Sequence, residues 1–234
     1  MKRFTPLMRF KASSITAVLF LLMSTSVANA TIINGLVTAG SGSFVELTLP
    51  FDPPNGALNT VGNDTFQTPN LYAFNEDQNV TVTGSALDYD LTVGGTWPSG
   101  TNPGSLAVGT TVASHYVFFD PGPGTSIEGW VEFDSDIIAV IVSTGNLAAS
   151  DYLANTGVTY LNPSARGLES NTDHIVNITD SRVYIDFYAS TPGDYIRVLT
   201  EYSPGAVVPE PTSLLLLGTG LGALGLVVYR RKRK

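Results

Sequence analysis

The fold is decided by Arg182-Val183-Tyr184-Ile185-Asp186-Phe187-Tyr188-Ala189. Val183, Ile185 and Phe187 alternate with Tyr184, Asp186 and Tyr188. A period of two sends the first set to one face and the second to the other, the pattern of a strand with one dry and one wet side. Leu87, Tyr89 and Leu91 against Asp88 and Asp90 repeat it. Residues 137–142 are apolar throughout, which predicts a central strand covered on both faces. Working outward, strands are predicted at 44–49, 71–74, 80–83, 86–93, 112–119, 127–133, 175–178 and 195–202, separated by Gly, Pro, Asn and Asp. Only 147–154 reads as a helix, with Asn146 as its N-cap and Gly157 beyond its end. Many short strands and one short helix predict an all-β domain, an antiparallel β-sandwich of jelly-roll-like form, with a closed barrel as the alternative. No short internal repeat supports a β-helix.

Charge narrows what such a domain can touch. Of the chain's 12 Lys and Arg, four lie in residues 1–30 and five in 230–234, which leaves Arg166, Arg182 and Arg197. Nineteen of the 20 acidic residues lie in 31–207, whose net charge is therefore −16. Such a surface repels nucleic acid and anionic polymers, so no nucleic-acid partner is expected; it could attract divalent cations or simply keep an exported protein soluble. With no cysteine, the domain is held by its core alone, and thiol catalysis and cysteine metal sites are excluded.

The two ends read as addresses. Lys2, Arg3, Arg9 and Lys11 precede or flank a short apolar stretch at 12–23, and Ala28-Asn29-Ala30 is an A-x-A cleavage signature. This predicts a signal peptide over 1–30, taken by the Sec translocon and cut by signal peptidase, followed by an ectodomain at 31–207. At the other end, Val208-Pro209-Glu210-Pro211-Thr212 leads into 213–229, which carries no charge, and then into Arg230-Arg231-Lys232-Arg233-Lys234. A helix over 213–229 would span roughly 25 Å, near the lower limit for a bilayer. The five cations are a stop-transfer cluster that stays cytoplasmic, so the ectodomain is expected outside. Pro209 and Pro211 hold Val208 and Glu210 extended, the form in which proteases bind peptides. Gly218 and Gly222 have the spacing of close helix–helix packing, and the same glycines suit a helix that an enzyme partly unwinds.

Pro-Glu-Pro, apolar helix and basic cluster, in that order over 208–234, resemble the PEP-CTERM sorting signal. The resemblance implies recognition by exosortase, an integral-membrane cysteine protease-transpeptidase of Gram-negative bacteria. It further implies a single-pass membrane intermediate, removal of the helix, and delivery to the cell surface or extracellular matrix. Within the ectodomain, His115-Tyr116-Val117-Phe118-Phe119-Asp120-Pro121, Arg166-Gly167-Leu168-Glu169 and Ser190 through Val198 are similar to a β-rich module that recurs upstream of such signals. That module brings no established activity. Arg166 and Arg197, inside these segments, are expected to pair with acids such as Glu169 and Asp194.

Candidates for chemistry are few. His115 and His174 are the only histidines and no GxSxG elbow occurs, so an extracellular hydrolase is the least supported reading and no catalytic residue is assigned. Calcium takes six to eight oxygen ligands. Asn63-Asp64 and Glu76-Asp77 are dense acidic spots, and Asp88 with Asp90, and Glu132 with Asp134 and Asp136, are the candidate ligands. Their strand spacing equally fits a solvated sheet face, and no EF-hand loop is present. Loops 50–70 and 94–109 are long enough to be functional or disordered. Trp97 in the second is the candidate glycan contact, since an exposed indole stacks on sugar rings, and Trp130 is expected in the core or as a sheet-face platform. The expected function is a non-catalytic surface or matrix protein sorted by exosortase. A carbohydrate-binding module acting on exopolysaccharide is the alternative.

Overall fold

The computed structural model describes residues 31–201. The expected signal peptide (1–30), the sorting motif and apolar segment (208–229) and the basic tail (230–234) lie outside them. Among the described residues no helix is long and apolar enough to cross a membrane. The strands are β1 (Ile32–Ala39), β2 (Phe44–Leu47), β3 (Thr60–Val61), β4 (Leu71–Asn75), β5 (Val80–Thr81), β6 (Leu87–Tyr89) and β7 (Gly104–Leu106). They continue with β8 (Thr111–Phe119), β9 (Thr125–Phe133), β10 (Ile137–Ile141), β11 (Thr159–Tyr160), β12 (His174–Ile178), β13 (Arg182–Ala189) and β14 (Asp194–Thr200). One short helix, α1 (Thr144–Ala149), and two 3-10 turns, Asp151–Leu153 and Pro163–Ala165, are the only helical pieces among these residues. The domain is all-β.

Four strands form one antiparallel sheet in the order β1-β9-β13-β12. The other follows the order β10-β14-β8-β4-β2, with β5 against the start of β8. It is antiparallel except where β2 runs parallel to β4. The alternation in β13 does what its period predicts. Val183, Ile185, Phe187 and Ala189 point inward, and with Ile127, Val131, Phe133 and Ile175 they meet Leu71, Ala73, Val117, Phe119, Val140, Ile196 and Val198 from the other sheet. The two sheets thus share one apolar core. The opposite face of the first sheet is solvated, and there Leu36, Trp130 and Tyr184 lie side by side across β1, β9 and β13. Gly129, beside Trp130, lets β1 come close, because a Cβ there would sit 2.4 Å from the Leu36 carbonyl oxygen.

The second sheet is buried on both faces. Its outer side chains, among them Tyr72, Phe74, Tyr116, Phe118, Tyr195 and Leu199, form a second core with Phe51, Val61 and Phe66 of the long loop and Leu147 and Leu153 of the helical segment. Aromatic rings dominate it: Phe118 stacks on Tyr72 at 5.1 Å and on Tyr195 at 5.7 Å, and meets the edge of Phe66 at 4.9 Å. Double coverage explains why β8 and β14 lack a clean alternation, since a strand dry on both sides has no polar positions to alternate with.

Several expectations are corrected. The apolar run 137–142 forms β10, which ends the second sheet rather than occupying its centre. Its free edge is nevertheless covered, because Leu91 and Val140 exchange backbone bonds at 3.0 and 2.8 Å. The central strand is β8. Loop 50–70 is ordered and supplies core residues, and it carries β3, which pairs with β11. The helix begins at Thr144 with Ser143 at the N-cap position, while Asn146 lies inside it. Strand β1 escaped the reading because bulges after Ile32 and Val37 break its period of two.

Candidate functional site

Three arginines are the cations of the described residues, and each is committed. Arg182 lies over the Trp130 ring at 3.9 Å on the solvated face and pairs with Glu132 at 2.9 Å. Arg166 forks onto Asp151, at 2.9 and 2.8 Å. Arg197 is fully buried on the outer side of β14, with Nε 2.6 Å and Nη2 2.9 Å from the two oxygens of Glu76. Its Nη1 donates to the Leu147 carbonyl and to Ser150 Oγ, and Glu76 also accepts from Ser114 and Tyr160. The expected partners Glu169 and Asp194 are therefore replaced by Asp151 and Glu76. The reason is parity: three residues apart on one strand, Asp194 and Arg197 point to opposite faces. This network ties β4, β8, β14 and the helical segment together, and every carboxylate oxygen of Glu76 is occupied by it.

Freed from the arginines, Asp194 enters a different group. Asp194 opens β14, Asp173 directly precedes β12, and Glu169 stands four residues earlier in the connecting loop. Asp173 accepts the Glu169 N–H at 2.8 Å and the Tyr188 N–H at 3.0 Å, so the loop closes on itself and is pinned to β13. One carboxylate oxygen from each of Glu169, Asp173 and Asp194 lies within 4.8 Å of the other two. Asp173 and Asp194 are buried, whereas Glu169 reaches solvent. Asp194 Oδ2 is enclosed with no hydrogen-bond partner. No ion pair reaches any of the three among the described residues. Burial, reinforced by the Asp173 and Glu169 carboxylates, pushes the Asp194 carboxyl up to about 10. Burial pushes Asp173 up to about 6 against the pull of its two backbone N–H bonds. A cleft of about 230 Å³ opens beside Glu169 and Asp194, lined also by Asn171, Thr172, Ser190 and Gly193.

The five acids singled out by sequence do not converge in this way. Asp88 is exposed on β6. Asp90 accepts the N–H groups of Val142 and Ser143, both at 2.8 Å, and the side chains of Ser143 and Asn146. Glu132 is held by Arg182, Asp134 accepts from Thr31 and Ser135, and Asp136 is exposed. Sequence reasoning missed Asp173 altogether and gave Glu169 and Asp194 another role. Only the place of Glu169 and Asp194 in the segments similar to the recurrent module could have drawn attention to them, and Asp173 lies outside those segments.

Trp97 is half-buried and packs on the core, bridged to Ile175, with its indole N–H enclosed and unpartnered. A shallow groove of about 360 Å³ beside it is lined by Thr96, Ser99, His174, Val176 and Asp186. Trp130 is a sheet-face residue. His115 is wholly buried, 2.8 Å from Asn75 Oδ1 and 3.1 Å from Thr200 Oγ1, and burial lowers its pKa to about 3. His174 is exposed, 3.9 Å from Asp186.

In comparison with known proteins, the family model for the PEP-CTERM protein-sorting motif matches residues 207–234. No curated protein and no solved structure matches the chain.

Proposed function

Starting from a chain that carries the PEP-CTERM sorting motif and so is exported and processed by exosortase, we propose that the ectodomain is a non-catalytic surface or matrix component. The motif is the observation that carries the export and surface half of this reading. The ectodomain's ionisable groups support it, because Arg166, Arg197, Glu76, Asp90 and His115 are all spent on holding strands and loops in place. We read the architecture as a jelly-roll-like sandwich. The support is the nested pairing in which β8 and β14 are neighbours in one sheet while β9 and β13 are neighbours in the other. The signal peptide, the span at 213–229 and its cytoplasmic tail complete the route.

The test is Glu210→Ala in a host with exosortase. The unaltered chain is expected at the cell surface with its tail removed, and the variant as an uncut species retained in the inner membrane. Surface delivery of the variant at the normal level, with the tail cut, would overturn the reading. A second reading, contact with exopolysaccharide, is favoured by the groove beside Trp97 and by the Leu36-Trp130-Tyr184 row. Pull-down on the host's exopolysaccharide separates the two: retention lost in Trp97→Ala supports the second, and no retention of the unaltered chain supports the first.

A further inference from the structure

We propose that Glu169, Asp173 and Asp194 bind one calcium ion that joins the two sheets at the β13–β14 turn. The donor set is all oxygen, which selects a hard cation over the metals that prefer imidazole or thiolate. Oxygens on opposite sides of a calcium ion sit at most about 5 Å apart, twice its usual 2.3–2.6 Å ligand distance. Three carboxylate oxygens within 4.8 Å can therefore share one centre.

Charge alone would not make this a site, since the domain is acidic everywhere. The second observation is Asp194 Oδ2, which is enclosed with no N–H or hydroxyl group donating to it, on a residue only 2 % exposed. A buried carboxylate without an N–H or hydroxyl donor is costly, and a cation would replace the proton that Asp194 otherwise shares with the Asp173 and Glu169 carboxylates. Asp173 is already oriented, since each of its oxygens accepts one backbone N–H and keeps a second lone pair. Exposed Glu169 provides the entry side, and Asn171, Thr172 and Ser190 line the cleft beside it, where their oxygens and water are available to an ion that takes six or more ligands.

Position gives the ion its effect. Asp194 begins β14 in one sheet, and Asp173 is bonded to Tyr188 of β13 in the other. A common ligand would hold the end of the sandwich closed with no disulfide available to do so.

Thermal unfolding of the full chain in detergent, in calcium and in chelator, tests this. With affinity in the range of extracellular calcium modules, Kd on the order of 10⁻⁴ M, saturating calcium should raise Tm by about 5–10 °C. Asp194→Asn should lose that increment while unfolding in chelator no earlier than the unaltered chain. Glu169→Gln, at an exposed position and so safe for folding, should weaken calcium binding about tenfold or more by calorimetry. Asp120→Asn removes another buried carboxylate with an unpartnered oxygen and should leave the increment intact. No calcium increment in the unaltered chain, an undiminished one in Asp194→Asn, or one lost only in Asp120→Asn would each overturn the proposal.

Discussion

Arg197 is the largest fully buried side chain of the domain, and a buried guanidinium is tolerable only when its donors are all answered. Glu76, Ser150 and the Leu147 carbonyl answer them at 2.5–3.1 Å. Removing either charge leaves the other stranded, so Glu76→Gln or Arg197→Met should each cost about 3–5 kcal/mol in chemical denaturation. The double variant should cost much less than the sum, and strict additivity would show that the pair is not coupled. Asp120 offers a pH test of the same physics. Burial lifts its carboxyl to about 6, and its neighbour Asp64 adds to the shift. An unfolded aspartate titrates at about 3.9, so this group's stabilising contribution is full below that value and is lost as pH rises through 6. His115 runs the other way, its contribution present above about 6.5 and lost as pH falls toward 3. Comparing the chain with Asp120→Asn cancels the histidine. The unaltered chain should gain stability over the variant between pH 7 and 4, and parallel profiles would contradict the assignment.

At the scale of elements, Asp90 shows how one carboxylate can finish a sheet. Its Oδ2 accepts from both the Val142 and Ser143 N–H groups just past β10, and its own segment covers the β10 edge through Leu91. Asp90→Ala should therefore cost about 2–4 kcal/mol, two orphaned N–H groups at their usual penalty. It should also speed amide exchange in 137–141 more than in β8, whereas uniform acceleration would mean that the edge is not locally guarded. The sequence reading took Asp90 for the wet side of a strand because alternation records the local period and not which chain folds back over which. For the same reason the strands with one solvated face, β9 and β13, were legible in the sequence, and the doubly covered sheet was legible only as apolar runs without order. Whether such a run is central or an edge depends on its neighbours in space, and β10 has a neighbour at Leu91 that no period announces.

For the whole molecule, the address was legible and the candidate site was not, and the difference is one of distance along the chain. The sorting motif is contiguous, so its spacing is visible in one dimension. The carboxylates of Glu169, Asp173 and Asp194 meet only because the β12–β13 hairpin and the β13–β14 turn bring the start of β14 against the loop before β12, and 25 positions separate the outer two. Charge bookkeeping connects the two scales. The full chain carries a net charge of −8, and nine of its 12 cations lie in residues 1–30 and 230–234. Loss of the expected leader, 1–30, would take away four cations and no acid and leave −12, and loss of 208–234 would take away five cations and Glu210 and leave −16. Each such cut would make the protein more acidic, so isoelectric focusing with intact mass tests the proposed route. The species recovered at the cell surface should be the most acidic of three. A surface species focusing with the −12 form would retain its basic tail, and export would then end in anchoring instead of release of the tail.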